Sequence, residues 1–98
     1  MATTCESGQI SVATTSQTPI VAANSARRWL ELRNLDGTNY VCVGGPNVTV
    51  TDGHMLLTGS APMVLTGPAA TCAIWGQAHT GAVNVSWFEA DDLAGASA

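Results

Sequence analysis

Lysine is missing from this chain, and charge of either sign is scarce. Only 10% of the residues are charged, with three arginines against seven acids, which gives a formal net charge of -4. A protein that binds nucleic acid needs a basic surface that displaces counterions from the phosphates. The three arginines lie close together between positions 27 and 33, with Glu31 among them, and do not provide such a surface. The composition therefore argues against nucleic acid as a partner, and we expect these arginines to lie on a solvated strand face.

Aromatic residues are also few, at 5% of the 98 residues. A chain of this length forms one domain and buries only about 60 to 65% of its unfolded surface. Its core must therefore come from valine, isoleucine, leucine, alanine and a few tryptophans. Soluble domains usually carry about 25% charged residues, so a surface this poor in charge predicts that partners cover part of it.

The cysteines, at positions 5, 42 and 72, are odd in number and contain no CxxC spacing. This pattern indicates neither a disulfide framework nor a zinc site. Reduced thiols are the expectation, with a bridge between Cys42 and Cys72 left open because both lie in strand-like runs. The N-terminal residues lack the basic and apolar regions of a signal peptide, and no run has the length of a membrane span. Synthesis in a cytoplasm and no membrane partner are therefore expected.

No group of residues predicts catalysis. Asp52-Gly53-His54 places an acid beside a base, as a catalytic triad requires, but a tight turn explains the same three residues. His79 lies in a predicted loop, and the two histidines lack the neighbouring carboxylates of a metal site. The glycines at 44 and 45 lack the lysine and the following helix of a phosphate-binding loop. We expect no enzyme activity, no catalytic residue, no metal and no cofactor.

What the chain does contain is alternation of apolar and polar residues with a period of two, which is typical of half-buried β-strands. In the run from Arg28 to Asn34, Leu30 and Leu32 face one side. Trp29, Glu31 and Arg33 face the other, and Trp29 is interpreted as the one aromatic on a polar face. It is either an interface or sugar-stacking residue, or it is covered by a second layer or by the N-terminal segment.

Similar runs recur every 8 to 12 residues between turn formers, a spacing typical of a sandwich or small barrel. The predicted fold is all-β: a small antiparallel β-sandwich or jelly-roll-like barrel. Leu35 to Thr38 is predicted to be a hairpin turn in which Gly37 takes a positive φ, and Thr58 to Ser60 a later turn. The predicted strands cover residues 10–12, 20–22, 27–34, 39–43, 48–50, 54–57, 63–65, 72–76 and 82–88, and Val83, Val85 and Trp87 share a core-facing side.

The domain boundaries follow from where these strands begin and end. Residues 1–18 are expected to form an extended N-terminal arm or edge strand, with too few apolar residues to belong to the core. Residues 19–90 form the sandwich, which we expect to fold without the arm. Residues 91–98 are acidic and then small, and are expected to be a flexible tail.

From Arg27 onward, the order of strands and glycines resembles that of small all-β accessory proteins in the virions of tailed bacteriophages. The resemblance covers about two thirds of the chain and consists of an arginine before an alternating strand, a Tyr-Val strand ending in glycine, a Gly-containing turn before an apolar strand, and a closing Gly-x-Val-x-Val strand ending near an acid. The corresponding residues are Arg28 to Asn34, Tyr40-Val41-Cys42-Val43-Gly44, Asp52-Gly53 with Met55-Leu56-Leu57, and Gly81-Ala82-Val83-Asn84-Val85 to Glu89.

This resemblance implies a structural protein on the capsid surface: a decoration or cement protein that binds the major capsid protein, stabilises the shell and assembles with itself, commonly as a trimer. The alternative is a receptor- or carbohydrate-binding module of a tail or fibre, in which Trp29 or Trp75 stacks on a ligand. In a decoration protein, the N-terminal arm would join capsid subunits or neighbouring copies by adding a strand to an exposed sheet edge. The candidate interface residues are Ile10, Val12, Trp29, Glu31, Arg33 and Trp75.

Overall fold

The computed structural model describes residues 3–57 and 62–92, which form eight strands and one short 3-10 helix. Every strand pair is antiparallel, and the strands form two sheets of four. We call the sheet with strand order β1-β8-β3-β6 sheet 1, and the sheet with order β2-β7-β4-β5 sheet 2. The strands are β1 Thr3–Val12, β2 Thr18–Val21, β3 Arg27–Asn34, β4 Val41–Gly44, β5 His54–Leu56, β6 Met63–Thr66, β7 Ile74–Ala78 and β8 Val83–Asp92, with the 3-10 helix at Gly67–Thr71.

The core lies between the two sheets and confirms the predicted all-β sandwich. Leu30 and Leu32 of β3 and Val83 and Val85 of β8 are completely buried, as their alternation predicts. The opposing layer is equally aliphatic, because the residues that sheet 2 contributes to the core cluster are valine, isoleucine, leucine and alanine. They are Ile20, Val21, Val41, Val43, Leu56, Ile74 and Ala78.

The N-terminal segment is the edge strand of sheet 1, one of the two forms predicted for it. β1 pairs with β8 over its whole length, from Thr3 opposite Asp92 to Val12 opposite Val83. The expectation that this segment contributes nothing to the core is wrong, because Val12 is completely buried. At the other end, β8 runs to Asp92, so the first two residues of the predicted tail belong to a strand. Residues 93–98 lie outside the described residues.

The predicted hairpin after β3 is also wrong. β3 pairs with β6 and β8, whereas β4 pairs with β5 and β7, so the connection crosses from one sheet to the other. The buried Asn34 makes this crossing possible, since its Nδ2 donates at 2.9 Å to the carbonyl of Asn39 and at 2.9 Å to that of Leu56 in sheet 2.

The side chain of Asp36 fixes the conformation of the segment that connects β3 to β4. Its Oδ1 accepts from the backbone N–H groups of Thr38 at 2.7 Å and Asn39 at 2.9 Å. These bonds, that of Asn39 first, lower the pKa of the Asp36 carboxyl below its ordinary value. The turn is therefore fixed by a side-chain acceptor, and Gly37 is not among the glycines with positive φ.

The hairpin that does form joins β4 to β5. Residues 48–50, predicted to be a strand, lie in its long connection, where their one strand-like pairing among the described residues is the isolated bridge between Thr49 and Asp52. Gly53 has φ +113°, and a Cβ there would meet the Val48 side chain and would lie 3.0 Å from the Val43 carbonyl oxygen, so glycine is required. The strand predicted at residues 63–65 is confirmed as β6. The turn predicted at Thr58 to Ser60 lies outside the described residues.

The cysteines are free thiols, with Cys5 and Cys72 exposed and Cys42 buried in β4. Burial, with a smaller contribution from Asp52, raises the pKa of the Cys42 thiol. We therefore expect two thiols of the native protein to react rapidly with Ellman's reagent and one to react only after unfolding. Protein in which Cys42 is replaced by alanine serves as the control and should lose the slow phase alone. A single fast thiol in the native protein would instead indicate a bridge.

Candidate functional site

The outward face of sheet 1 carries a group of apolar side chains from three adjacent strands. In the register of β3, Trp29 lies opposite Ala90 and Glu31 lies opposite Phe88 in β8. On the other side of β3, Glu31 lies opposite Val64 in β6. Side chains directly opposite one another, and their diagonal neighbours, are within reach across a sheet. We call Trp29, Glu31, Val64 and Phe88 the outer patch.

The apolar members of the outer patch are unusually accessible for their size. Trp29 is 38% exposed, Phe88 39% and Val64 42%. Isolated exposed apolar residues are normal on soluble proteins, but contiguous ones mark interaction surfaces. Two aromatics and a valine on neighbouring strands meet that description, and aromatic residues are enriched at the cores of protein interfaces.

The charge in the outer patch belongs to Glu31, which is half-buried between its apolar neighbours. Its Oε1 accepts from the indole Nε1 of Trp29 at 3.3 Å, which orients both side chains. Arg33 is exposed further along the same strand. Within the described residues the salt bridge is between two other side chains, so neither Glu31 nor Arg33 has an ion-pair partner there.

The structure brings three of the six sequence-predicted interface residues together: Trp29, Glu31 and Arg33 share the outward face of β3. Ile10 packs against the core and Val12 is completely buried in it, so neither is available to a partner through its side chain. Trp75 is half-buried on β7 of sheet 2, where it lies opposite Pro19 and Gly44.

Phe88 and Val64 were not predicted, and the interpretation of Trp29 as the one aromatic on a polar face is wrong. The signal for Phe88 was present, because Val83 and Val85 face the core and strict alternation places residue 88 on the opposite side. Val64 carries no such signal. Its place in the outer patch depends on the pairing of β6 with β3, which no local pattern specifies.

Apart from the outer patch, a group of polar side chains lies inside the sandwich around Arg27, which is only 1% exposed. The expectation that all three arginines are solvated is therefore wrong for Arg27. Its Nη1 donates to Glu89 Oε1 at 3.0 Å and its Nη2 to the Cys72 carbonyl at 2.7 Å, while its Nε donates to the carbonyl of Ala70. The guanidinium thus joins β3, β8 and the segment that contains the 3-10 helix.

Arg27 and Glu89 are among the residues that line an open cleft of about 320 Å³. One wall belongs to the part of sheet 1 that includes Glu6 and Trp87, and the other to residues 20–24. Gly8 lies opposite Trp87, and a Cβ there would approach the indole to 2.9 Å, so the ring lies against the backbone of β1. Because the charges of Arg27 and Glu89 neutralise each other, we interpret this polar group as structural.

The remaining chemistry-bearing residues form no site. His79 stacks on Tyr40 with ring centroids 4.5 Å apart, and Thr80 Oγ1 lies 2.8 Å from its Nδ1. Asp52 Oδ1 accepts from the Thr49 N–H at 2.8 Å within a turn, in agreement with the interpretation of Asp52 and Gly53 as turn residues, whereas His54 is the first residue of β5. In residues 3–57 and 62–92, no three histidine, cysteine, aspartate or glutamate side chains are grouped so that they could hold a metal ion.

Nor does the part of the chain that the structure describes contain a helix long and apolar enough to cross a membrane. The outer patch is the described surface on which exposed apolar side chains from three adjacent strands lie side by side. Comparison with known proteins found no matching family model, no matching curated protein and no matching solved structure.

Proposed function

We propose that this chain is a virion structural protein of the capsid-decoration type, which binds the outside of a phage head through its outer patch and stabilises the shell. The observation that carries the binding role is the cluster of Trp29, Phe88 and Val64, each more than a third exposed on adjacent strands. The virion setting rests on the resemblance of the strand pattern described above.

The chemistry of the outer patch specifies its partner in part. The partner surface is apolar where it meets the two aromatic rings, and it carries a basic group where it meets Glu31. Burying a carboxylate in an interface without a counter-charge weakens binding, because the desolvation free energy is not offset, whereas a paired carboxylate adds specificity. On the major capsid protein, the complement would be an arginine or lysine flanked by apolar side chains.

Stabilisation of the shell follows from linkage. A ligand that binds the assembled shell and not its separated subunits stabilises the assembly in proportion to the logarithm of its concentration over its dissociation constant. No catalytic group is needed for this role. A sheet face whose backbone is already ordered loses little backbone conformational entropy on binding.

Purified protein added to undecorated heads of the phage that encodes it tests the proposal. We expect binding in stoichiometric amounts and an increase in the temperature at which the shells release their contents. The double substitution Trp29→Ser and Phe88→Ser should weaken binding by at least about tenfold, as loss of interface aromatics typically does.

Met55→Ser is the control. Met55 is 46% exposed on β5 of sheet 2, so this substitution removes an exposed apolar side chain from the sheet that does not carry the outer patch. The double variant must keep its circular dichroism spectrum. Wild-type protein that stays in the supernatant, or a double variant that binds as well as Met55→Ser, would contradict the proposal.

The alternative, a carbohydrate-binding module of a tail or fibre, is favoured by one observation: the exposed indole of Trp29 lies beside a carboxylate, as in a sugar-stacking platform. Trp75 cannot belong to the same platform because it lies in the other sheet. If this alternative holds, host polysaccharide should shift the tryptophan fluorescence of the wild type but not that of Trp29→Phe.

A further inference from the structure

The two sheets have four edge strands, and three of them are poor templates for pairing. β2 has four residues, contains Pro19 and has an irregular register. β5 has three residues and β6 has four. Short strands, prolines and irregularities are the means by which proteins protect sheet edges from association.

β1 has none of these protections. It is ten residues long and its register with β8 is unbroken from end to end. It contains no proline and no lysine, and its one charged residue is Glu6. Beyond its ladder to β8, none of its backbone groups takes part in a backbone hydrogen bond among the described residues. Half of the backbone N–H and C=O groups of an edge strand point away from its neighbour, so β1 presents a long row of free donors and acceptors.

We infer that β1 pairs antiparallel with β1 of a second copy of this chain, which joins the two copies of sheet 1 into one continuous eight-stranded sheet. A two-fold axis makes such a contact self-complementary, because each strand presents the same surface to the other. The pairing itself is argued from the free edge of the sheet, whereas the choice of a second copy as its occupant also rests on the proposed function of the outer patch.

The side chains of β1 select the register. Pairing centred on Ser7 overlaps Thr3 to Ser11 and places Glu6 opposite Gly8 of the other copy. If the pairing is centred on Glu6 instead, the two Glu6 side chains lie directly opposite each other, and like charges in that arrangement are destabilising. If the pairing is centred on Gly8, Glu6 of one copy lies opposite Ile10 of the other. The Ser7-centred register avoids both contacts, so the strand is most self-complementary there.

A second copy is favoured over an unrelated strand because this register also continues the outer face. Residues opposite each other in an antiparallel pair point to the same side of a sheet, so both outer patches face the same way. Within each copy Ser7 lies opposite Phe88. The Phe88 of each outer patch is therefore on the strand next to the β1 that lies at the two-fold axis. The pair presents two identical binding surfaces on one side, as bivalent attachment requires.

Sedimentation of the full chain tests the oligomeric state. We expect a dimer that dissociates on dilution. Ser7→Lys places two ammonium groups opposite each other at the axis and should raise the dimer dissociation constant at least about tenfold. Asn84→Lys is the matched control, because it adds the same charge to the same face one strand further in, at an exposed position of β8, and should leave the dimer intact.

Cross-linking tests the register. In variants that retain the buried Cys42 and carry Cys72→Ser, one exposed cysteine is kept at position 5 or, with Cys5→Ser, placed at position 7, 9 or 11, and each variant is treated with a short bismaleimide. Because the strands run in opposite directions, a step of two residues from the axis separates the two thiols by about 14 Å more along the strands. We expect efficient dimer cross-linking at position 7 and little at the other three.

Three outcomes would overturn the inference. The first is a monomer at all accessible concentrations, including one whose β1 amides become protected from hydrogen exchange only when shells are added. The second is the trimer that the family resemblance implies. The third is a dimer whose cross-linking shows no maximum along β1. Loss of shell binding with the dimer intact would count against the proposed function alone.

Discussion

Replacing Arg27 with methionine is expected to lower the free energy of unfolding by about 3 to 5 kcal/mol, the cost typical of removing one partner from a buried ion pair. The substitution leaves the Glu89 carboxylate, which is 7% exposed, without its counter-charge. It also leaves the carbonyls of Ala70 and Cys72 without the donors that they have in the native protein. Urea denaturation followed by tryptophan fluorescence measures the change.

Arg33→Met is the matched control, because Arg33 lies exposed on the outward face of the same strand. It should change stability by less than about 0.5 kcal/mol, as surface substitutions usually do. The double variant Arg27→Met, Glu89→Leu completes the cycle. It should recover part of the loss, since an apolar pair of similar volume often replaces a buried ion pair without cost. Equal stability of Arg27→Met and Arg33→Met would show that the pair has no structural role.

Deleting residues 1–18 is expected to abolish cooperative folding. The deletion removes the whole ladder between β1 and β8 and the completely buried Val12. It also removes Ile10 and uncovers Val85, which then faces water at a new sheet edge. Burial of a valine or isoleucine side chain contributes about 1.5 to 3 kcal/mol, and a domain of this size has a total stability of only about 5 to 15 kcal/mol. Circular dichroism and thermal melting of the shortened chain measure the result.

The control retains the strand and changes only its outward side chains. Replacing Ser7, Gln9 and Ser11 by threonine keeps β1 paired and favours the strand conformation slightly, so the melting temperature should stay within a few degrees of the wild type. If the shortened chain melts cooperatively like the wild type, β1 is an appendage and not part of the sandwich.

Local periodicity was sufficient to predict the fold class and the faces of individual strands. Alternation with a period of two is a property of the extended backbone itself. Leu30, Leu32, Val83 and Val85 are therefore buried as predicted, and Trp29 is exposed as one of its two interpretations required.

The same rule fails at Arg27, and the failure has a physical cause. By strict alternation Arg27 shares the outward face with Trp29 and Glu31. The register of β3 with β8 shifts between Arg27 and Trp29, however, and a bulge of this kind reverses the side to which the preceding residue points. A bulge depends on the partner strand and leaves no signal in the sequence of β3 alone.

The sequence by itself determined that the chain forms amphipathic strands and where most of them lie. Only the tertiary structure decided which strands are neighbours: that β3 crosses to the other sheet through Asn34, that Phe88 and Val64 join Trp29, and that β1 is an edge strand with a free side. The reason is that the alternation of side chains is set by each residue's own backbone, whereas strand pairing is set by hydrogen bonds and packing between segments far apart in the chain.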